Sequence, residues 1–161
     1  MLSFGYEYNG ICVVRYPRGN GPGLDKIKSI PNIKLGKANI VREGENTAIL
    51  VFGTLLNICH EIADTLNASL IDMRFIKPID EKLIIKIAQS HNLIVTIEEN
   101  TISGGAGSSV LEVLSKNKLK NDTLCLGIPD RFPAHGKQDE ILRDCGLDQK
   151  SILSKIEKAM N

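Results

Sequence analysis

Four short apolar runs, TAILVFG (47–53), ASLIDMRF (68–75), LIVTIEE (93–99) and TLCLGI (123–128), alternate with segments whose apolar residues are spaced three and four apart. A continuous run of four to eight apolar residues reads as a strand buried on both faces, and the intervening spacing reads as helix. Leu55, Ile58, Cys59, Ile62 and Leu66 form one such helical face, with Thr54 placed to cap it. Leu83, Ile84, Ile87 and Ala88 form another, behind a stop at Pro78 and an N-cap at Asp80. Ser109 and Glu112 have capping-box spacing at the start of a third helix, and Ile141, Leu142, Ile152, Leu153 and Ile156 mark two short closing helices. Strand–helix alternation with short connections predicts an α/β fold: a mainly parallel sheet covered on both faces. KANIVREG (37–44) reads as an edge strand. GICVVRYP (10–17) reads as an isolated strand, followed by a Gly/Pro/Lys segment (19–37) of little periodicity that reads as a linker. A strand leading straight into a linker predicts that the first residues belong to an upstream domain absent from this chain.

The 161 residues suffice for one domain with a sizeable core plus an N-terminal extension. With 20 basic and 19 acidic residues, a net charge of +1 and 4% aromatic content, the chain lacks both the field and the stacking platforms of a nucleic-acid binder. Any anion recognition must be local. Cys12, Cys59, Cys125 and Cys145 form no C-x-x-C pair, so neither a zinc site nor a disulfide framework is signalled, and buried thiols in a reducing compartment are expected. No apolar run approaches a membrane span. The expected location is cytoplasmic.

In an open α/β sheet, ligands bind beyond the carboxyl ends of the strands. Two loops there, and the stretch before the linker, carry candidate chemistry. EENTISGGAGSS joins Glu98 and Glu99 to Gly104, Gly105 and Gly107 ahead of a helix, whose N-terminus could cradle a phosphate. It lacks the G-x-G-x-x-G spacing, and two acids would repel the anion, so a tight turn with close helix packing is the expected role. Consecutive strand residues point to opposite faces, which prevents Glu98 and Glu99 from acting as an acid/base pair; one would meet a neighbouring domain or subunit, the other solvent or the following turn. The loop IPDRFPAHGKQDE places His135 near Asp130 and Arg131, with loop structuring and chemistry as alternatives. His60 reads as a partly exposed helix histidine, and His91 lies at a helix end where the dipole favours a cation. No Ser/His/Asp set or G-x-S-x-G elbow is present. VRYPRGNGPG (14–23) offers Arg18, a guanidinium fork followed by glycines. Spacing alone leaves a phosphate grip and a plain surface arginine equally open.

Taken together, RYPRGNG, FGTLLN, LIDMRFIKPID, IVTIEENTISGGAGSSV and LGIPDRFPAHG resemble the C-terminal portion of the 1-deoxy-D-xylulose-5-phosphate synthase family, within the thiamine-diphosphate-dependent transketolase group. The resemblance runs from about Gly10 to Asn161. It implies a three-layer α/β/α sandwich on a mixed, mostly parallel five-stranded sheet whose first strand, KANIVRE, is antiparallel. It divides the chain into residues 1–36, the end of a pyrimidine-binding domain and its linker, and residues 37–161, a transketolase-type C-terminal domain. It implies a homodimeric parent enzyme that condenses pyruvate with glyceraldehyde 3-phosphate, releasing carbon dioxide, in isoprenoid and thiamine precursor synthesis. Thiamine diphosphate and magnesium would be held upstream. The G-D-G motif that serves them is absent here, Glu98 and Glu99 do not correspond to the cofactor-activating glutamate, and the chain alone is expected to bind neither group and to be inactive. Arg18 falls on the arginine that helps bind the substrate phosphate, with Arg15 as second choice; no catalytic, cofactor or metal ligand is expected. The alternatives are the corresponding domain of a 2-oxo acid dehydrogenase β subunit and a stand-alone anion-binding α/β module.

Overall fold

The computed structural model describes residues 1–16 and 33–161, and contacts divide the chain into two units, Met1–Leu35 and Gly36–Asn161. The first holds a six-residue helix, α1 (Leu2–Glu7), that periodicity did not announce. Phe4 and Tyr8 stack one turn apart, ring centroids 6.0 Å from each other. Residues 11–16 form no strand, contrary to expectation. Strands are held by ladder hydrogen bonds to a neighbour, and here Ile11 and Val13 are almost fully exposed.

The second unit contains β1 (Asn39–Arg42), β2 (Thr47–Phe52), α2 (Leu56–Leu66), β3 (Ser69–Asp72), α3 (Glu81–Ser90), β4 (Leu93–Thr101), α4 (Ala106–Lys116), β5 (Asp122–Ile128), α5 (Gln138–Asp144) and α6 (Gln149–Met160). The sheet order is β1-β3-β2-β4-β5; β1 runs antiparallel to β3 and every other pairing is parallel. This is the mixed five-stranded sheet implied above.

Period-two alternation sorts the strand residues into two cores. Ile49, Val51, Leu70, Val95 and Ile97 pack with Cys59 and Ile62 of α2 and with Ile152 and Ile156 of α6. Ala48, Leu50, Phe52, Ile71 and Ile94 pack with Ile84 and Ile87 of α3 and with Val110 and Val113 of α4. The result is three layers, helix–sheet–helix. All six residues of β2 are buried, as its unbroken apolar run requires. Burial pushes the Cys59 thiol up to about 12, which makes it a packing group rather than a nucleophile. Cys145 is also buried, whereas Cys12 is exposed, contrary to the expectation of uniformly buried thiols.

Two local features hold the sheet's first edge. Arg42 donates to Asp64 (2.8 Å), to Ala68 O (2.8 Å) and to the Asn67 side chain (3.0 Å), joining β1 to the end of α2. Asp80 caps α3 by accepting from Leu83 N (3.3 Å), and also accepts from Ala38 N (3.2 Å) and Lys37 Nζ (3.2 Å). Lys37 is half exposed, so the two hydrogen bonds from backbone amides dominate. Asp80→Ala should lower the unfolding free energy by about 2 kcal/mol, with Asp80→Asn recovering part of it, in urea titrations followed by circular dichroism.

Candidate functional site

Carboxyl ends of β2, β3, β4 and β5 converge on the loops that the sequence singles out. The densest arrangement surrounds Glu98, near the end of β4. Alternation along that strand turns Glu98 toward α4 and Glu99 toward α2. Glu98 is buried, and its two carboxylate oxygens accept from Ala106 N (2.7 Å) and Gly107 N (2.8 Å), the first amides of α4. A carboxylate at a helix N-terminus satisfies orphan donors and meets the positive end of the dipole. Glu98 therefore caps α4 from eight residues upstream. Ser109 and Glu112 lie inside the helix and form no capping box, because the helix starts three residues before Ser109.

The glycines make this possible. Gly104 adopts a left-handed φ of +71° with open space around it. A Cβ on Gly105 would lie 2.3 Å from Thr101 O and 2.5 Å from Glu98 Oε1, and one on Gly107 would lie 2.6 Å from Thr96 Oγ1. Thr96 Oγ1 is buried without a hydrogen-bond partner. The loop thus serves a tight turn and close helix packing, as expected, and the amides that would cradle a phosphate already hold the protein's own carboxylate.

Glu99 does different work. Thr54 Oγ1 donates to its Oε2 and Gln138 Nε2 to its Oε1 (3.3 Å), so it ties the β2–α2 turn to the start of α5. Thr54 accordingly does not cap α2, whose N-cap is Leu55 without a side-chain bond. Beyond β3, Arg74 sits at a left-handed φ of +57°, its Nε donating to Asp72 Oδ2 (2.9 Å). Sequence reading missed this half-buried pair; its signal is the i, i+2 spacing of opposite charges at a strand end.

In the loop after β5, Asp130, Arg131 and His135 are exposed, and no side-chain hydrogen bond or ion pair joins the three. His60 is exposed on α2. His91, at the C-terminus of α3, is buried: Nδ1 lies 2.9 Å from Ile87 O, and Nε2 lies 2.9 Å from Ser69 Oγ, which also accepts from Gly44 N. It is a structural link at the opposite end of the sheet. Arg15 is exposed in the first unit, and Arg18 lies outside the described residues. Among the described residues, no group of three or more His, Cys, Asp or Glu could hold a metal ion.

Comparison with known proteins places this geometry. A family model described as the transketolase C-terminal domain matches residues 36–152. Among curated relatives, 1-deoxy-D-xylulose-5-phosphate synthase of Hahella chejuensis is 47% identical over 160 residues, covering 99% of this chain and 25% of the relative. The enzyme of the same name from Serratia proteamaculans is 51% identical over 160 residues, covering 98% and 25%. The chain spans about a quarter of the length of these relatives. Among solved structures, a split-gene transketolase described as an inactive beta4 tetramer superposes with a TM-score of 0.71 at 28% identity, over 89% of this chain and 45% of that one.

Proposed function

Because this chain belongs to the family of transketolase C-terminal domains, we propose that it is the third domain of a 1-deoxy-D-xylulose-5-phosphate synthase. Identities of 47% and 51% across nearly the whole chain carry this reading. The parent reaction would join the two-carbon unit left by pyruvate decarboxylation to glyceraldehyde 3-phosphate, in a cytoplasmic homodimer. No helix among the described residues is long and apolar enough to cross a membrane.

The described residues do not fit thiamine diphosphate or its magnesium. The glycine-loop amides are engaged by Glu98, and no cluster of metal-ligating side chains exists among them. In this reading the cofactor is held by preceding domains, and this chain contributes assembly through its C-terminal domain and one substrate contact through residues 1–36. The assembly role draws support from the split-gene transketolase, whose beta chains form a tetramer.

The substrate contact is Arg18, with Arg15 as second choice. A guanidinium fork matches a phosphate in bidentate fashion, and in the sequence Arg18 stands between Pro17 and Gly19. In the longer protein, Arg18→Ala should raise KM for glyceraldehyde 3-phosphate by about ten- to a hundred-fold, the loss of one charge-assisted contact, while largely sparing pyruvate. Arg18→Lys should rescue only in part. Steady-state kinetics with each substrate varied separately reads the difference. Equal damage toward both substrates, or none, would assign Arg18 a structural or surface role.

A further inference from the structure

The partners of His91 fix where its protons can sit. His91 and Ser69 are 8% and 3% exposed, side by side at the end of the sheet away from the glycine loop. His91 Nδ1 lies 2.9 Å from Ile87 O and 3.0 Å from Ser90 Oγ. A carbonyl oxygen can only accept, so Nδ1 carries a hydrogen and donates it; a bare Nδ1 would set lone pair against lone pair. Nε2 is then the nitrogen that gains or loses a proton. It faces Ser69 Oγ (2.9 Å), which also accepts from Gly44 N (2.8 Å) and lies 3.2 Å from Gly44 O. A hydroxyl has one hydrogen to give. Beside the neutral ring, Ser69 gives it to Nε2 and Gly44 O goes without. Beside the cation, Nε2 donates to Ser69, and the hydroxyl hydrogen is released to Gly44 O. Gly44 is then held by its carbonyl as well as its amide.

This grip falls on a structurally sensitive place. Gly44 stands at the corner where β1 turns into β2, and β1 is an edge strand paired only with β3. The corner packs tightly: Glu45 N donates to Asn67 O (2.7 Å), and a Cβ on Gly44 would lie 2.3 Å from the carbonyl carbon of Ala68. A cavity of about 390 Å³ opens beside it, lined by His91 and Ser69 together with Glu43 and Glu45 of the corner and Lys86 of α3. It gives a proton from solvent a path to the pair. β3 meets the ring with the uncharged Ser69; ahead of β5, Asn121 donates to His91 O (2.6 Å), and the neighbouring Asp122 is exposed. Glu43 and Glu45 are therefore the other groups of the corner that can answer to acid.

We infer that His91 and Ser69 form a latch on the β1–β2 corner that tightens when Nε2 takes up a proton, the serine hydroxyl switching its hydrogen from the imidazole to Gly44 O. The latch lies within the second unit, so NMR of the 161-residue chain reads it directly. At about pH 8, heteronuclear spectra of the imidazoles should show His91 protonated at Nδ1 and bare at Nε2, with the exposed His60 and His135 as references. Protection of the Gly44 amide from hydrogen exchange, taken relative to a free peptide at the same pH, should be about five-fold higher at about pH 5 than at about pH 8. That is the effect of one added neutral hydrogen bond. Ser69→Ala and His91→Gln should each hold the protection at one level across this range, and either suffices if the other fails to fold. The double variant Glu43→Gln, Glu45→Gln should keep the rise. A hydrogen on Nε2 at about pH 8, protection that does not rise in acid, or a rise that survives either latch substitution would overturn the inference. Loss of the rise in the double glutamine variant would assign it to the carboxylates and overturn it as well.

Discussion

Replacing Gly105 with alanine should lower the unfolding free energy by at least about 3 kcal/mol, the upper part of the range for an overpacked core. The added methyl would lie 2.3 Å from Thr101 O and 2.5 and 2.6 Å from the two oxygens of Glu98. Neither neighbour can retreat cheaply. Thr101 O belongs to the backbone of β4, and Glu98 is held by hydrogen bonds from two backbone amides that would break if it moved. Gly104→Ala supplies the control one residue away. There the new methyl meets open space, so only the left-handed backbone opposes it, at about 1–2 kcal/mol. Urea unfolding of both variants by circular dichroism separates steric overlap from backbone preference. If Gly105→Ala proved no worse than Gly104→Ala, the close approach of Glu98 to the loop would be wrong.

Loss of Glu98 should be comparably severe. Glu98→Ala removes the acceptor of two charge-assisted hydrogen bonds and leaves the amides of Ala106 and Gly107 buried without partners, a cost of roughly 3–4 kcal/mol. Glu98→Gln keeps the shape and one carbonyl oxygen but sets its carboxamide NH2, a donor, against the other backbone N–H, and should cost about half as much. Since the carboxylate is buried at a helix end, raising the salt concentration should not close the gap between glutamate and glutamine as it would for a surface pair. Equal stability of Glu98→Gln and the unaltered protein would mean that neither the charge nor the second acceptor matters. A functional proton donor at this position would show in turnover rather than in stability.

These two residues also mark where the sequence can be read and where it cannot. Apolar periodicity located β2, β3, β4, β5 and the buried faces of α2 and α3, since a strand or helix face is written in adjacent residues. The N-cap at Asp80 was legible for the same reason, its acceptor lying three residues from its donor. The cap of α4 was not. Its carboxylate comes from the preceding strand, across a turn closed by Gly104 and Gly105, while Ser109 and Glu112 reproduced a local pattern without the geometry. Thr54 misled in the same way: it stands before a helix, yet its hydroxyl is taken by Glu99, 45 residues away. α1 was not anticipated, and residues 11–16 were read as a strand because an apolar run has the β pattern whether or not a neighbour pairs with it. The glycine loop read correctly, since two acids ahead of it argued against an anion. The proposal of Arg18 as a phosphate contact came from family resemblance alone, because an arginine before glycines has no unique reading.

The sheet order implies a delay between the synthesis of the first two strands and their pairing. The strand made first, β1, pairs only with β3, so nothing stands ready to receive it until residue 72 has been made. The central strand β2 waits longer: its flank on β4 is filled only when residues 93–98 arrive, more than forty positions after it was made. A growing chain therefore leaves one flank of its most apolar strand unpaired after β3 has covered the other. From then on, pairing can advance across the sheet from one edge: β1, β3 and β2 can pair once residue 72 is made, β4 then adds beside β2, and β5 beside β4.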